Sequence, residues 1–149
     1  MTEDHDLPDP PADVTVEPAT PDDRLDVLRI LDAAMLETDA DAVDDRIAAS
    51  DALVARSTRT GGVVGALVAV RPDPDRLHVD AVAVRRARRG RGIGSALVAA
   101  AVDRGESDPA VEAVTARFDA GLAEFYEALG FAVDADGAAA GRRTGRRSV

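Results

Sequence analysis

The sequence predicts an α/β protein of the α+β type, with a mixed, mostly antiparallel central sheet and helices on both of its faces. Two observations carry this prediction. Residues 63–70 are almost wholly apolar, as expected of a central strand that is covered on both faces. Apolar residues also recur at helical spacing before and after the strand-like middle of the chain, giving the order β-α-α-β-β-β-α-β-α. At 149 residues the chain suits one domain.

The composition changes after the first residues. Residues 1–12 are rich in Asp and Pro and poor in large apolar side chains, which predicts a disordered acidic tail. Residues 13–149 then form the domain, and Val14 begins its first strand.

Two helices are predicted after this strand. Thr20 is suited to an N-cap and Pro21 to the first helical position. The apolar stripe that follows has helical spacing and consists of Val27, Ile30, Leu31, Ala34 and Met35. A second, weaker helix covers about residues 42–49.

The middle of the chain is strand-like. Residues 52–56 form a short strand, and Gly61-Gly62 indicates a hairpin turn into the apolar strand 63–70. Residues 71–75 contain two prolines and turn the chain, so that residues 77–84 form the next strand.

The C-terminal half begins with another helical stripe. The stripe consists of Ile93, Ala96, Leu97, Ala100 and Ala101. Residues 111–117 predict a strand. A last helix follows, ended by Gly130 and marked by Leu122, Phe125, Tyr126 and Leu129. Beyond residue 134 the strand signal fades, because residues 138–140 and 142–147 are poor strand formers, and the last strand pair stays open.

The composition excludes several classes of protein. The chain has no cysteine, and therefore no disulfide, thiolate nucleophile or Cys-based metal site. It has no apolar run of about 18 residues, so no membrane span is expected. The acidic start lacks the apolar region of a secretory signal, and the cytoplasm is the simplest location.

The charge is unusual: the net charge is −10, and all 18 basic residues are arginine. An acidic, lysine-free surface is expected of a protein that works in very high salt, where self-repulsion is screened, and we expect a halophilic archaeal source. High genomic GC content would favour the same residues. Both explanations concern environment, so the acidity itself is not interpreted as a binding site.

An arginine- and glycine-rich loop, residues 85–95, lies between an apolar strand and an amphipathic helix. The first N–H groups of a helix have no intrahelical partner and carry partial positive charge, so the loop is a candidate anion site. A P-loop is excluded because the chain has no lysine. The dinucleotide fingerprint also fails, because Ser95 or Leu97 stands where its third glycine belongs.

The loop resembles the pyrophosphate loop of the GNAT N-acetyltransferases, whose pattern Arg/Gln-x-x-Gly-x-Gly/Ala is matched by Arg89, Gly92 and Gly94. Residues 81–84 resemble the family strand that pairs with the pantetheine arm, and the sequence of residues 125–131 resembles the family's FYExLGF segment. The resemblance covers roughly residues 13–134.

The resemblance implies a GNAT fold, acetyl-CoA as acetyl donor and no metal. The residues it implies in donor binding are Val82, Ala83, Val84, Arg89, Gly90, Arg91, Gly92, Ile93, Gly94, Ser95 and Asp119. Asp119, a predicted N-cap, stands where many relatives carry an Asn near the pantetheine.

The resemblance also implies catalytic roles. Tyr126, the only tyrosine of the chain, stands at the family's general-acid position, with a core aromatic as the alternative. His78 and Asp80 are the candidate bases, and strand alternation predicts that they point to the same face. The serotonin N-acetyltransferase branch carries His at both positions, and the histone acetyltransferase branch carries its catalytic Glu at that of His78. A structural strand histidine is the alternative.

The acceptor is expected to be a small primary amine. Protein N-terminal acetyltransferases of the family usually carry a glutamate where Thr115 stands, which argues against protein N-termini as acceptors. A non-catalytic acyl-CoA sensor is the first alternative, and a solvated turn at the loop is a plainer one. Nucleic-acid binding is disfavoured by the negative net charge and the lack of interleaved aromatics. We expect a monomer or homodimer.

Overall fold

The structure, a computed structural model, describes residues 7, 9–34, 39–134 and 142–149. The strands of this part are β1 Val14–Pro18, β2 Ala52–Ser57, β3 Val63–Asp73, β4 Arg76–Val84, β5 Ala113–Asp119, β6 Ala132–Asp134 and β7 Arg142–Ser148. The helices are α1 Arg24–Ala33, α2 Ala40–Ala48, α3 Ile93–Glu106 and α4 Ala123–Ala128. None of these helices combines the length and the apolar character that crossing a bilayer requires.

The strands form one sheet in the order β1-β2-β3-β4-β5-β7-β6. Every neighbouring pair is antiparallel except β4 and β5, which are parallel. A parallel pair needs a crossover connection, and α3 supplies it. The prediction of a mixed, mostly antiparallel sheet is confirmed.

Helices cover both faces of the sheet, as predicted. On one face, α3 and α4 pack against the strands, and Leu77 and Leu97 are fully buried in this layer. On the other face, Val27 of α1 and Val43 of α2 pack against Val68 of β3. The apolar strand 63–70 is central and covered on both sides, which explains why it shows no alternation.

The arginine-rich C-terminus forms a strand, although its composition predicts a poor one. β7 pairs with β5 along its whole length, from Ser148 opposite Ala113 to Arg142 opposite Asp119. Gly145 of β7 lies so close to two aromatic rings that an added Cβ would meet Phe118 at 3.1 Å and Phe131 at 3.4 Å. Tertiary packing therefore overrides the weak strand propensity of this segment.

Other boundaries differ by a few residues from those predicted. β3 continues through residues 71–73, and the chain turns only at residues 74–75. β5 begins two residues later than expected. Leu7, inside the expected tail, packs against the core. Met35, residues 1–6 and 8, and residues 138–140 lie outside the described residues.

β4 and β5 separate along their length, and this separation creates the site. They pair only over four residues, from Arg76 opposite Ala113 to Val79 opposite Ala116. Beyond this point β4 continues with β3 to Val84, while β5 continues with β7 to Asp119. The C-terminal halves of the two strands therefore enclose a wedge.

A β-bulge lies where the wedge opens. Val68 of β3 pairs with Ala81, and Ala69 pairs with Val79, so Asp80 is an extra residue of β4. Val79 packs in the layer of α3 and α4, whereas Ala81 packs in the layer of α1 and α2. The bulge thus shifts the inside–outside alternation of β4 by one residue.

Candidate active site

A cavity of about 740 Å³ lies at the wedge and runs from the glycine loop to α4. All of the predicted donor-binding residues line it except Arg91, whose side chain is exposed to solvent outside the lining. The lining also contains residues that were not predicted for donor binding: Ala34, Arg88, Leu122, Phe125 and Tyr126.

The glycine loop presents free backbone donors to this cavity. Ala96 N–H makes the first helical hydrogen bond of α3, to the Gly92 carbonyl at 3.0 Å, so the N–H groups of residues 93–95 precede it. No side chain caps this helix within the part of the chain that the structure describes. The N-terminus of α3 can therefore donate hydrogen bonds to an anion such as a pyrophosphate.

Glycine is required in the loop by backbone conformation. Gly90 has φ +78° and Gly92 has φ +87°, which lie in the left-handed region that other residues rarely adopt. A Cβ at Gly92 would meet no atom of the protein within 4 Å. The space that a side chain would fill is thus open to a ligand.

Two arginine contacts hold the loop in place. Arg89 folds back and donates from Nε to the Val84 carbonyl at 3.2 Å. Arg88 lies 3.7 Å from the Asp13 carboxylate. Both arginines belong to the cavity lining and add positive charge there, that of Arg88 partly balanced by Asp13.

A second, smaller cavity of about 200 Å³ lies in the wedge itself, between β4 and β5. Its charged lining residues are Asp80 of β4, with Arg117 and Asp119 of β5. It shares four lining residues with the large cavity: Val82, Asp119, Leu122 and Tyr126. The two cavities therefore meet at the end of the wedge.

Tyr126 stands at this junction, and aromatic rings fix its position. Its ring stacks on Phe118 with centroids 4.0 Å apart, and it meets Phe125 and Phe131 edge to face. The residue is 2% exposed, yet it belongs to the lining of both cavities. Burial raises the pKa of the phenol to about 12, so the hydroxyl stays protonated at neutral pH.

His78 lies on β4 next to the wedge and lines neither cavity. Its Nδ1 is 2.8 Å from Oγ1 of Thr115, the residue directly opposite on β5. Burial lowers the pKa of the imidazole, the Asp80 carboxylate opposes this, and the nearby Arg76 and Arg117 lower it further. The imidazole is therefore neutral at neutral pH.

The two candidate bases thus occupy different places. Asp80 is exposed and lines the small cavity, whereas His78 is half-buried beside it. The bulge interrupts the alternation on which the same-face prediction depended. Asp80 is still close enough for its charge to act on the imidazole.

Sequence reasoning missed Arg117, Thr115 as the partner of His78, and Phe125 as a cavity residue. Phe125 was predicted only as part of a helix stripe. Arg117 carries no motif, and only the separation of β4 and β5 places it at a cavity. Among the described residues, no group of three or more His, Asp or Glu side chains is arranged to hold a metal ion.

Comparison with known proteins gives one family match. The model of the acetyltransferase (GNAT) family matches residues 24–131, well over half of the chain. No curated protein sequence matches the chain significantly.

Several solved structures share the fold. Ard1 from Thermoplasma volcanium has a TM-score of 0.76 at 21% identity, covering 93% of this chain and 99% of that one. Naa50 from Arabidopsis thaliana, in complex with the bisubstrate analogue CoA-Ac-MVNAL, has a TM-score of 0.72 at 17% identity, covering 93% and 100%.

A third structure is N-acetylglutamate synthase from Neisseria gonorrhoeae, complexed with coenzyme A and N-acetyl-glutamate. It has a TM-score of 0.71 at 16% identity, covering 93% of this chain and 35% of that one. At such identities these likenesses show a shared fold.

Proposed function

The chain belongs to the GNAT family of acetyltransferases, and from this premise we propose that it transfers the acetyl group of acetyl-CoA to the primary amine of a small molecule. One observation carries the proposal: the Tyr126 side chain stands where a large cavity with free backbone donors meets a small cavity with a carboxylate. A donor in the first cavity and an acceptor in the second would meet at this hydroxyl.

The large cavity fits acetyl-CoA. The N–H groups at the start of α3 would bind the pyrophosphate, with Arg88 and Arg89 adding positive charge. The pairing of β4 with β5 ends at Val79, so residues 82–84 of β4 have no partner on β5. These residues would pair with the pantetheine arm. Acetyl-CoA supplies a thioester whose carbonyl carbon is attacked by the amine and whose C–S bond breaks to release CoA.

Tyr126 would supply the proton to the departing sulfur. A pKa of about 12 keeps this proton available at working pH but makes its transfer to a free thiolate, with a pKa near 8.5, unfavourable. The same burial that raises the phenol pKa also disfavours a thiolate in this cavity. It therefore raises the pKa of the CoA thiol and reduces the difference between the two pKa values. The packing of its ring among three phenylalanines supports the alternative role as a core aromatic, and its place in the lining of both cavities supports the catalytic role.

The acceptor amine must lose a proton to react, because a lysine-like amine has a pKa of about 10.4. Asp80, the carboxylate on the β4 wall of the small cavity, would hold the incoming ammonium and accept its proton. His78, neutral and beside the small cavity, would pass this proton to solvent through one water. The ammonium has three N–H bonds and the amide product keeps one. Of the two protons that leave the nitrogen, one reaches solvent by this route and the other restores the Tyr126 hydroxyl that protonated the CoA sulfur.

A small acceptor is favoured by the size of the wedge cavity, about 200 Å³. The fold alone leaves the acceptor open. One similar structure contains N-acetyl-glutamate and another contains a CoA–peptide analogue. Thr115 is a threonine and therefore offers no carboxylate to a peptide N-terminus. It is 5% exposed, and its hydroxyl contacts His78.

The test is a turnover assay. We expect the protein to release CoA thiol from acetyl-CoA in the presence of a panel of small amines, and Gly92→Ala to have a kcat/KM for acetyl-CoA lowered by about tenfold or more. Tight acetyl-CoA binding without thiol release on any amine would instead indicate the acyl-CoA sensor. Binding of nucleic acid at working salt would support the remaining alternative.

We also propose that the protein works in high salt, in the cytoplasm, where acetyl-CoA is available. The net charge of −10 makes the folded chain repel itself, and salt screens this repulsion. The melting temperature should therefore rise between low and multimolar KCl. A melting temperature that falls or stays constant would contradict a high-salt environment.

A further inference from the structure

The arginines of this chain divide by whether they have a carboxylate partner. Within the described residues, ion pairs are formed by Arg24, Arg56, Arg71, Arg76, Arg88 and Arg104. Arg117 and Arg146 form none there. Other described arginines also form no ion pair, among them Arg59, Arg85, Arg86, Arg89 and Arg91, so Arg117 and Arg146 are distinguished by their position and not by the missing partner.

Arg117 and Arg146 lie on the same face of the sheet. Thr115 pairs with His78 on one side and with Arg146 on the other. Arg117 follows Thr115 by two residues, and no bulge interrupts β5 and β7, so both guanidinium groups lie on the face that carries His78. The charge of Arg117 lowers the pKa of the His78 imidazole, which agrees with this placement.

This face is open beside the wedge. The helices α1 and α2 cover β2, β3 and β4, and neither makes a substantial contact with β5 or β7. Arg117 and Arg146 are both exposed. Arg117 also lines the small cavity, opposite Asp80 across the gap between β4 and β5.

The small cavity therefore offers the Asp80 carboxylate on one wall and the Arg117 guanidinium on the other, and the Asp119 carboxylate lies at the end where this cavity meets the large one. A carboxylate holds an ammonium group, and a planar guanidinium binds a carboxylate through two parallel hydrogen bonds. Asp80 disfavours a dianion such as a phosphate in the same small space. The pattern matches a molecule that carries an amine and a single carboxylate.

Resting on the proposed acetyl transfer, we infer that the acceptor is an amino acid or a closely related amine whose carboxylate binds Arg117, with Arg146 adding positive potential beside it. Asp80 holds its ammonium group, which places the nitrogen in the wedge toward Tyr126.

The first experiment compares matched acceptors. Each of a panel of L-amino acids is paired with its carboxamide, and kcat/KM for CoA release is measured at one fixed salt concentration. The free acids should be preferred by roughly 10- to 100-fold, the range expected for a hydrogen bond to a charged group. The preference should lie mainly in KM, because the carboxylate is remote from the reacting bond.

The variant Arg117→Gln should remove this preference by lowering kcat/KM for the free acids much more than kcat/KM for the carboxamides. Arg146→Gln should reduce it less. Arg46→Gln is the matched control, because it removes the same charge from α2 at a residue that lines neither cavity. Thermal unfolding of the three variants shows whether each remains folded.

A second measurement does not depend on turnover. N-acetylated amino acids and their amides are titrated calorimetrically into the protein saturated with CoA. The acids should bind the parent and bind Arg117→Gln at least about tenfold more weakly. Arg46→Gln should bind them as the parent does.

The outcomes separate the two proposals. Turnover of amides as fast as acids, or an equal loss of both in Arg117→Gln, overturns the inference and leaves the acetyl transfer standing. Binding of the acetylated acids without turnover of any amine overturns the transfer and supports the carboxylate site. Absence of both turnover and binding overturns both.

Discussion

Nδ1 of His78 lies 2.8 Å from Oγ1 of Thr115, across the short parallel pairing of β4 and β5. Thr115 is buried, so this hydrogen bond fixes the orientation of the imidazole just before the two strands separate. If Nδ1 donates its proton to the hydroxyl, Nε2 is left as the basic nitrogen. The neutral imidazole then serves as a proton acceptor beside the wedge.

The pKa of His78 should lie below 6.5 when measured by NMR. Burial disfavours the imidazolium, and this effect outweighs the attraction of Asp80. Asp80→Asn should therefore lower the pKa further, and Arg117→Gln should raise it. The chain has two histidines, so a His5→Ala variant assigns the two signals.

The pH dependence of kcat/KM should follow the same titration. If His78 accepts the amine proton through water, kcat/KM rises with pH with a midpoint below 6.5, and His78→Ala loses this limb. A pH profile of His78→Ala that overlays that of the parent would show that the histidine is only a strand residue.

Tyr126→Phe should lower kcat by about 10²–10⁴-fold, the effect of a lost general acid. The phenylalanine ring keeps the stacking on Phe118, and the phenol forms no hydrogen bond with the residues that the structure describes. Acetyl-CoA affinity and the melting temperature should therefore stay close to those of the parent. Parental turnover by the variant would leave Tyr126 as a core aromatic.

Asp23 joins the start of α1 to β2. Its two carboxylate oxygens each lie 2.9 Å from Arg56 Nη2, and it also accepts the Thr20 N–H at 3.0 Å. Asp23→Asn should lower the free energy of unfolding by about 1–3 kcal/mol at neutral pH, the cost of weakening a buried charged hydrogen bond. Asp44→Asn is the control, because its ion pair with Arg24 is largely exposed and should contribute little.

The stability difference caused by Asp23→Asn should depend on pH. Burial alone would raise the pKa of Asp23, but the hydrogen bonds from Thr20 and Arg56 outweigh it and hold the pKa below the ordinary 3.8. The stabilisation is therefore complete above pH 3.8 and is lost as the pH falls through the lower pKa of the folded state. Urea unfolding at several pH values measures this, and a difference that persists unchanged in acid would contradict it.

The fold was largely predictable because its elements carry local signals. Residues 63–70 are apolar on both faces, and the stripes of α1 and α3 have helical spacing. β7 was not predictable, because its arginines are poor strand formers and the strand depends on Gly145 fitting against Phe118 and Phe131.

The candidate site was predictable where a chemical pattern is continuous in sequence, as in the glycine loop. The wedge was not, because neither the bulge at Asp80 nor the separation of β4 from β5 leaves a mark in the residue pattern. Asp80 and Arg117 are 37 residues apart in the chain and come together only through the parallel pairing of their strands. The roles of Tyr126, His78 and Asp80 stay predictions that the variants above test.

The most direct test of the account compares Gly92→Ala with Gly61→Ala. Gly92 has φ +87° and Gly61 has φ +76°, and an added Cβ meets no atom within 4 Å at either position. Both variants should lose about 1–2 kcal/mol of stability from the same left-handed strain. Gly92 lines the donor cavity, whereas Gly61 lies in the turn between β2 and β3.

Calorimetric titration with CoA then isolates the approach of the pyrophosphate to the backbone. The affinity of Gly92→Ala should fall by about tenfold or more, equivalent to 1.4 kcal/mol, and that of Gly61→Ala should match the parent. If the folded Gly92→Ala variant binds CoA as tightly as Gly61→Ala does, the glycine loop does not hold the donor and the account is wrong.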